Sequence, residues 1–138
     1  ASDSVPVGWY RIRHTDSLTV GAIVLARLPA PLAELAERRG YLPARVPILK
    51  RIGGIAPQHA CIRERMVHVD GVLVAAALPR DRLGRPMPSW DACRRLARGE
   101  LFLLSTHNPA SFDSRYFGPV HRSAVVGLAE PIWVTGAP

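Results

Sequence analysis

Lysine is almost absent from this chain: among 138 residues, Lys50 stands alone against seventeen arginines. A guanidinium keeps its charge at every accessible pH. A general base is therefore excluded at all the arginine positions, whereas at position 50 burial can lower an ammonium pKa until the neutral amine accepts protons. The neighbours suit an apolar setting, with Val46, Pro47, Ile48 and Leu49 before it and Ile52, Gly53, Gly54 and Ile55 after, and Arg51 as the one adjacent charge. Cysteine is scarce too: Cys61 and Cys93 stand in no metal-binding spacing, which leaves one disulfide in an oxidising compartment or two buried thiols. No run approaches the roughly 20 apolar residues that span a bilayer. Acidic residues are outnumbered, eleven Asp and Glu against eighteen Lys and Arg, for a formal charge of +7. The arginines lie scattered, in short clusters without interleaved aromatics. They read as a generally basic surface that an anionic membrane would attract, and no specific nucleic acid is expected.

What is present is a globular composition, 48% hydrophobic and 21% charged, long enough for one core and too short for two ordinary domains. Strands are expected over residues 7–13 and 21–27, joined as a hairpin through the polar turn His14 to Ser17. Leu32, Leu35 and Ala36 recur at helical spacing between Pro31 and Gly40, which predicts a short helix over 31–39. Residues 46–55 predict a strand carrying Lys50, bent at Gly53-Gly54 where another side chain comes close. A hairpin of 62–69 with 72–78 turns at Asp70-Gly71. The segment 79–88 reads as an exposed, mobile loop, 91–99 as a helical turn or two, and 101–104 and 124–128 as core strands. Trp9 and Phe112 are expected in the core, with lipid or substrate contact as the alternative. The fold class is mainly β with one or two short helices, a single domain over 1–138 with a candidate sub-lobe at 56–100.

Three segments carry chemistry beyond a core. Ser2-Asp3-Ser4-Val5-Pro6-Val7-Gly8 presents a serine on a turn whose backbone Pro6 fixes. The second is the Lys50 strand with its Gly-Gly. The third, Ser111-Phe112-Asp113-Ser114-Arg115-Tyr116-Phe117-Gly118-Pro119-Val120, gathers serines, a carboxylate, an arginine and aromatics between strands. In this order, from the first residues to about Glu130, the three resemble the signal peptidase family of serine proteases with a Ser-Lys dyad. The single residue between Ser4 and Pro6, and Thr106-His107-Asn108-Pro109 in place of a Gly-Asp-Asn stretch, bring the chain nearer to TraF-type conjugative-transfer peptidases than to leader peptidases.

The resemblance implies a fold of several short coiled sheets, with Ser4 as nucleophile, Lys50 as general base and Ser111 as the hydroxyl that orients the lysine. It further implies Ser2 as an oxyanion donor beside the Ser4 N–H, and Asp113 and Arg115 as the pair supporting the site. No cofactor or metal is called for. The implied substrate is a conjugative pilin precursor, cleaved and then either released or cyclised, in the periplasm. An N-terminal segment beyond this chain would hold the protein at the inner membrane. A general leader peptidase and a non-catalytic basic adaptor of the conjugation apparatus are the alternatives. A Ser-His-Asp triad built on His14, His59, His68, His107 or His121 is the rival chemistry, although none of the five lies in a hydrolase-like motif.

Overall fold

The computed structural model describes residues 8–42, 46–105 and 111–134. Ten strands form two antiparallel sheets, with two short helices, so the mainly β expectation holds. The chain runs β1 (Gly8–Arg13), β2 (Ile23–Ala26), α1 (Ala30–Arg38) and β3 (Ile48–Ile55). There follow β4 (His59–Arg63), β5 (Met66–Val69), β6 (Val72–Ala76) and β7 (Cys93–Arg95), then β8 (Glu100–Leu104), α2 (Ser114–Phe117), β9 (Val120–His121) and β10 (Val125–Val134). The larger sheet has the order β1-β10-β2-β3-β8-β9, and the smaller β6-β5-β4-β7.

Strand β3 obeys the period of two: Ile48, Lys50, Ile52 and Gly54 are buried while the residues between them are half-buried. The same alternation that buries two isoleucines therefore buries the lysine. Neighbouring β8 is apolar on both faces because it separates two cores. Leu101 and Leu103 pack with Val24, Ile48 and Ile52, while Phe102 and Leu104 pack with Ala60, Ile62 and Val67 of the smaller sheet. The glycine pair marks a register shift between β3 and β8, and a Cβ at Gly53 would lie 2.5 Å from Leu104 Cδ1. The close approach expected of that glycine is Leu104.

Several expectations are corrected. Strands β1 and β2 are not a hairpin; β10, the longest strand, lies between them and pairs with both. The stretch 62–69 is not one strand, because Glu64 and Arg65 take φ of 50° and 64° and turn the chain from β4 into β5. The left-handed turn usually announces itself through Asn-Gly or Asp-Gly, as at Asp70-Gly71, and here the residues gave no such signal. The helical turn expected at 91–99 is instead the edge strand β7, where Cys93 pairs with and is disulfide-bonded to Cys61. Segment 79–88 holds no strand or helix and is largely exposed, as expected, but it is fastened rather than a bare linker. Arg80 bridges Pro86, and the Asp81 carboxylate accepts hydrogen bonds from Leu83 N, Arg85 N, Arg85 Nε and Tyr41 Oη. That hub fastens the loop to the end of α1, where Arg39 also donates to the Pro86 carbonyl. Trp9 is 72% exposed, against the expected burial, while Phe112 is buried between Tyr41 and Phe117.

Candidate active site

Lys50 is 2% exposed in the middle of β3, paired with Val24 of β2. Arg51 pairs with Leu104 on the other side, so one step further along the same register Lys50 comes level with Ser105. The Ser105 N–H donates to Asp113 Oδ2 at 2.8 Å. This brings the Asp113 carboxylate toward Lys50.

The need for Asp113 and Ser114 follows from the length of β9. That strand pairs with Glu100 and Leu101 alone, so among the described residues the outer edge of β8 has no strand neighbour from Phe102 onward. Buried amides there must find other acceptors. Ser114 Oγ takes the Leu103 N–H at 2.8 Å and Asp113 takes that of Ser105, so two side chains of the α2 turn continue the ladder that β9 abandons. Asp113 is also the N-cap of α2, accepting from Arg115 N at 3.0 Å. Its two oxygens receive Arg115 Nε and Nη2, both at 2.8 Å, in a fork-to-fork pair that is essentially fully buried. The rest of the guanidinium is used as well: Nη1 donates to the Ala76 carbonyl at 3.0 Å and Nη2 to that of Ser111 at 3.2 Å. Arg115 thus joins the end of β6 in the smaller sheet to the turn beside Lys50. Next to it, Tyr116 Oη accepts the Leu78 N–H at 3.0 Å.

Burial lowers the Lys50 pKa from 10.5 to about 8. Asp113 opposes that shift by favouring the ammonium, and Arg115 adds to it by repulsion. The outcome is an amine that titrates close to the physiological range, as a general base requires.

Of the six residues singled out by sequence, Lys50, Ser111, Asp113 and Arg115 are all buried; Asp113 and Arg115 act on the Lys50 charge, and Arg115 bonds Asp113 and the Ser111 carbonyl. Ser2 and Ser4 lie outside the described residues. Ser105 and Ser114 are buried as well, and the sequence reading gave them no role. Ser114 stood in the quoted motif beside Asp113, but only the shortness of β9 reveals what it does. Among the described histidines, His14, His59 and His121 are exposed and His68 is half-buried on the smaller sheet. Among the described residues no three His, Cys, Asp or Glu gather to hold a metal ion, and no helix is long and apolar enough to cross a membrane.

The protein-family model described as signal peptidase, peptidase S26, matches residues 1–134. The plasmid transfer protein TraF of Escherichia coli is 32% identical over 141 residues, covering 94% of this chain and 78% of its own length. The probable conjugal transfer protein TraF of Sinorhizobium fredii is 33% identical, with coverages of 98% and 75%. Its counterpart in Agrobacterium fabrum, named conjugal transfer protein TraF, is 31% identical, with coverages of 92% and 84%. A solved signal peptidase I from Enterococcus faecalis aligns with a TM-score of 0.47 at 18% identity, over 82% of this chain and 97% of that one.

Proposed function

The chain belongs to the signal peptidase family, peptidase S26, and on that premise we propose that it is a serine endopeptidase with a Ser4–Lys50 dyad that processes a conjugative pilin precursor. The observation that carries this reading is the burial of the sole lysine, with its pKa lowered to about 8, in the field of Asp113 and Arg115.

In the proposed reaction the neutral Lys50 amine takes the proton from Ser4 Oγ as that oxygen attacks the peptide carbonyl. The resulting ammonium then gives its proton to the leaving amine. Ser2 Oγ and the Ser4 N–H donate to the developing oxyanion, where each donor is typically worth about 3 kcal/mol. Ser111 holds the lysine in the direction of the nucleophile. Asp113 and Arg115 act from behind, through the amine's titration. The acyl-enzyme left on Ser4 is resolved by water, or by the substrate's own amino terminus when that group is held at high effective concentration. The relatives named for plasmid and conjugal transfer support a conjugative substrate. Such a substrate would place the enzyme in the periplasm, at the inner membrane where precursors reside.

Incubation of the purified protein with a pilin precursor, followed by mass spectrometry, tests the reading. Ser4→Ala, Lys50→Ala and Lys50→Arg are each expected to abolish processing while circular dichroism stays native. Lys50→Arg is the most selective, since it keeps a cation of similar length that cannot become neutral. Processing by that variant would overturn the dyad, and an adaptor protein would tolerate all three changes. A product one water lighter than the linear cleaved chain reports cyclisation. The rate is expected to rise through about pH 8 as Lys50 deprotonates.

A further inference from the structure

A cleft of about 540 Å³ lies at the far end of β3 from the lysine, where Ile55 closes the strand. Five residue steps of extended chain separate Ile55 from Lys50, roughly 16 Å, so the cleft is distinct from the site above. Three arginines line it: Arg95 at the end of β7, Arg98 in the turn that follows, and Arg122 in the turn after β9. Arg122 is held in place by a 2.7 Å hydrogen bond from Nη2 to the Asp16 carbonyl. The Arg95 and Arg98 guanidiniums are exposed, and neither has an ion pair or side-chain hydrogen bond among the described residues.

The nearby counter-charges are engaged elsewhere. Glu100 gives both oxygens to Arg94 and one of them also to the Ala97 N–H. Asp16, the one carboxylate among the described lining residues, has a side chain 95% exposed and turned toward His14. Below the arginines the cleft is apolar, with Leu18, Pro57 and the buried Leu96 among its walls. The loop that supplies Leu18 also exposes Val20.

We propose that this cleft binds the phosphate of an anionic phospholipid headgroup, the arginines taking the phosphate oxygens and the apolar walls the adjoining glycerol carbons. Guanidinium forks match phosphate geometry. Clustered guanidiniums whose neighbouring carboxylates are engaged elsewhere attract an anion, and a purely inorganic ion would leave the apolar walls unused. A nucleic acid would ask for something different: arginines strung along a track of phosphates, with rings for stacking. Here the three line a single cleft, and among the described residues no aromatic ring borders it. The site needs neither Ser4 nor Lys50, so it stands or falls independently of the peptidase reading.

Co-sedimentation with phosphatidylcholine vesicles containing phosphatidylglycerol is the test, run beside pure phosphatidylcholine. The wild-type chain is expected to bind the anionic vesicles, and Arg95→Gln/Arg98→Gln to weaken that binding roughly tenfold or more. Both arginines are exposed, so the double variant should melt as the wild type does. A matched control, Arg11→Gln/Arg63→Gln, removes the same charge from exposed positions on β1 and β4 and is expected to change binding by no more than about twofold. Equal losses from the two pairs would reduce the effect to net charge and overturn the proposal. So would binding of soluble glycerol phosphate, seen as NMR shifts at residues 95–99, without binding to vesicles. A duplex oligonucleotide whose affinity, unlike that of vesicles, depended on Arg95 and Arg98 would overturn it as well.

Discussion

At the scale of one residue, the buried charge of Lys50 is a cost the fold carries. Its folded pKa of about 8 lies below the 10.5 of an exposed lysine. Below pH 8 the group is protonated in both folded and unfolded states, and the folded state bears the penalty of a buried charge. Between pH 8 and 10.5 the unfolded chain holds the extra proton, so stability rises with pH across that window. Lys50→Met is therefore expected to abolish activity and to stabilise the protein by about 3 kcal/mol at pH 7, an advantage that fades to nothing near pH 10.5. Urea unfolding at several pH values measures it, and a gap that did not shrink with pH would contradict the burial of a charged amine. Asp113 acts on the same titration in the opposite sense, since its carboxylate favours the ammonium. Asp113→Asn should move the pH–rate midpoint below 8. The same change strands Arg115 in the interior, at a cost of about 3–5 kcal/mol. A destabilised variant with an unmoved midpoint would confine Asp113 to a structural role.

At the scale of elements, β3 and β8 meet through a glycine. A methyl group at position 53 would lie 2.5 Å from Leu104 Cδ1 and 2.9 Å from its Cγ, inside a packed core. Gly53→Ala is expected to cost about 1–3 kcal/mol. Trimming the obstacle with Leu104→Val should recover part of that loss, so a double-mutant cycle by thermal unfolding should show coupling of about 0.5 kcal/mol or more. Additive losses would mean that Leu104 is not what demands the glycine. A close neighbour here was legible in the sequence, because two glycines in an apolar strand imply one, although not that it is Leu104; Lys50, two residues from both Ile48 and Ile52, shares their buried face. Other features were not legible. Glu64-Arg65 turns the chain without a glycine, and Cys93 joins a sheet through a partner 32 residues away. The role of Ser114 depends on where β9 stops. Short-range patterning determines which face a residue occupies; pairing between distant strands determines what it meets there.

At the scale of the molecule, the question is whether the two sheets fold as one. The smaller sheet runs from β4 to β7, and the disulfide between Cys61 and Cys93 closes nearly all of it into a single loop. Closing a loop of 32 residues is worth about 3–4 kcal/mol in the chain-entropy account, so Cys61→Ala/Cys93→Ala should lose that much. How the loss appears depends on the joint between the sheets. Strand β8 supplies Leu101 and Leu103 to one core and Phe102 and Leu104 to the other, and Arg115 clasps the Ala76 carbonyl while paired with the Asp113 that faces Lys50. Neither core can lose its share of β8 without exposing the other. The double variant should therefore unfold in one transition at lower urea, with far-UV circular dichroism and peptidase activity falling together. If activity outlasted an early spectroscopic transition, the smaller sheet would be unfolding alone, and the shared strand would not be the bond between the two halves that its packing implies.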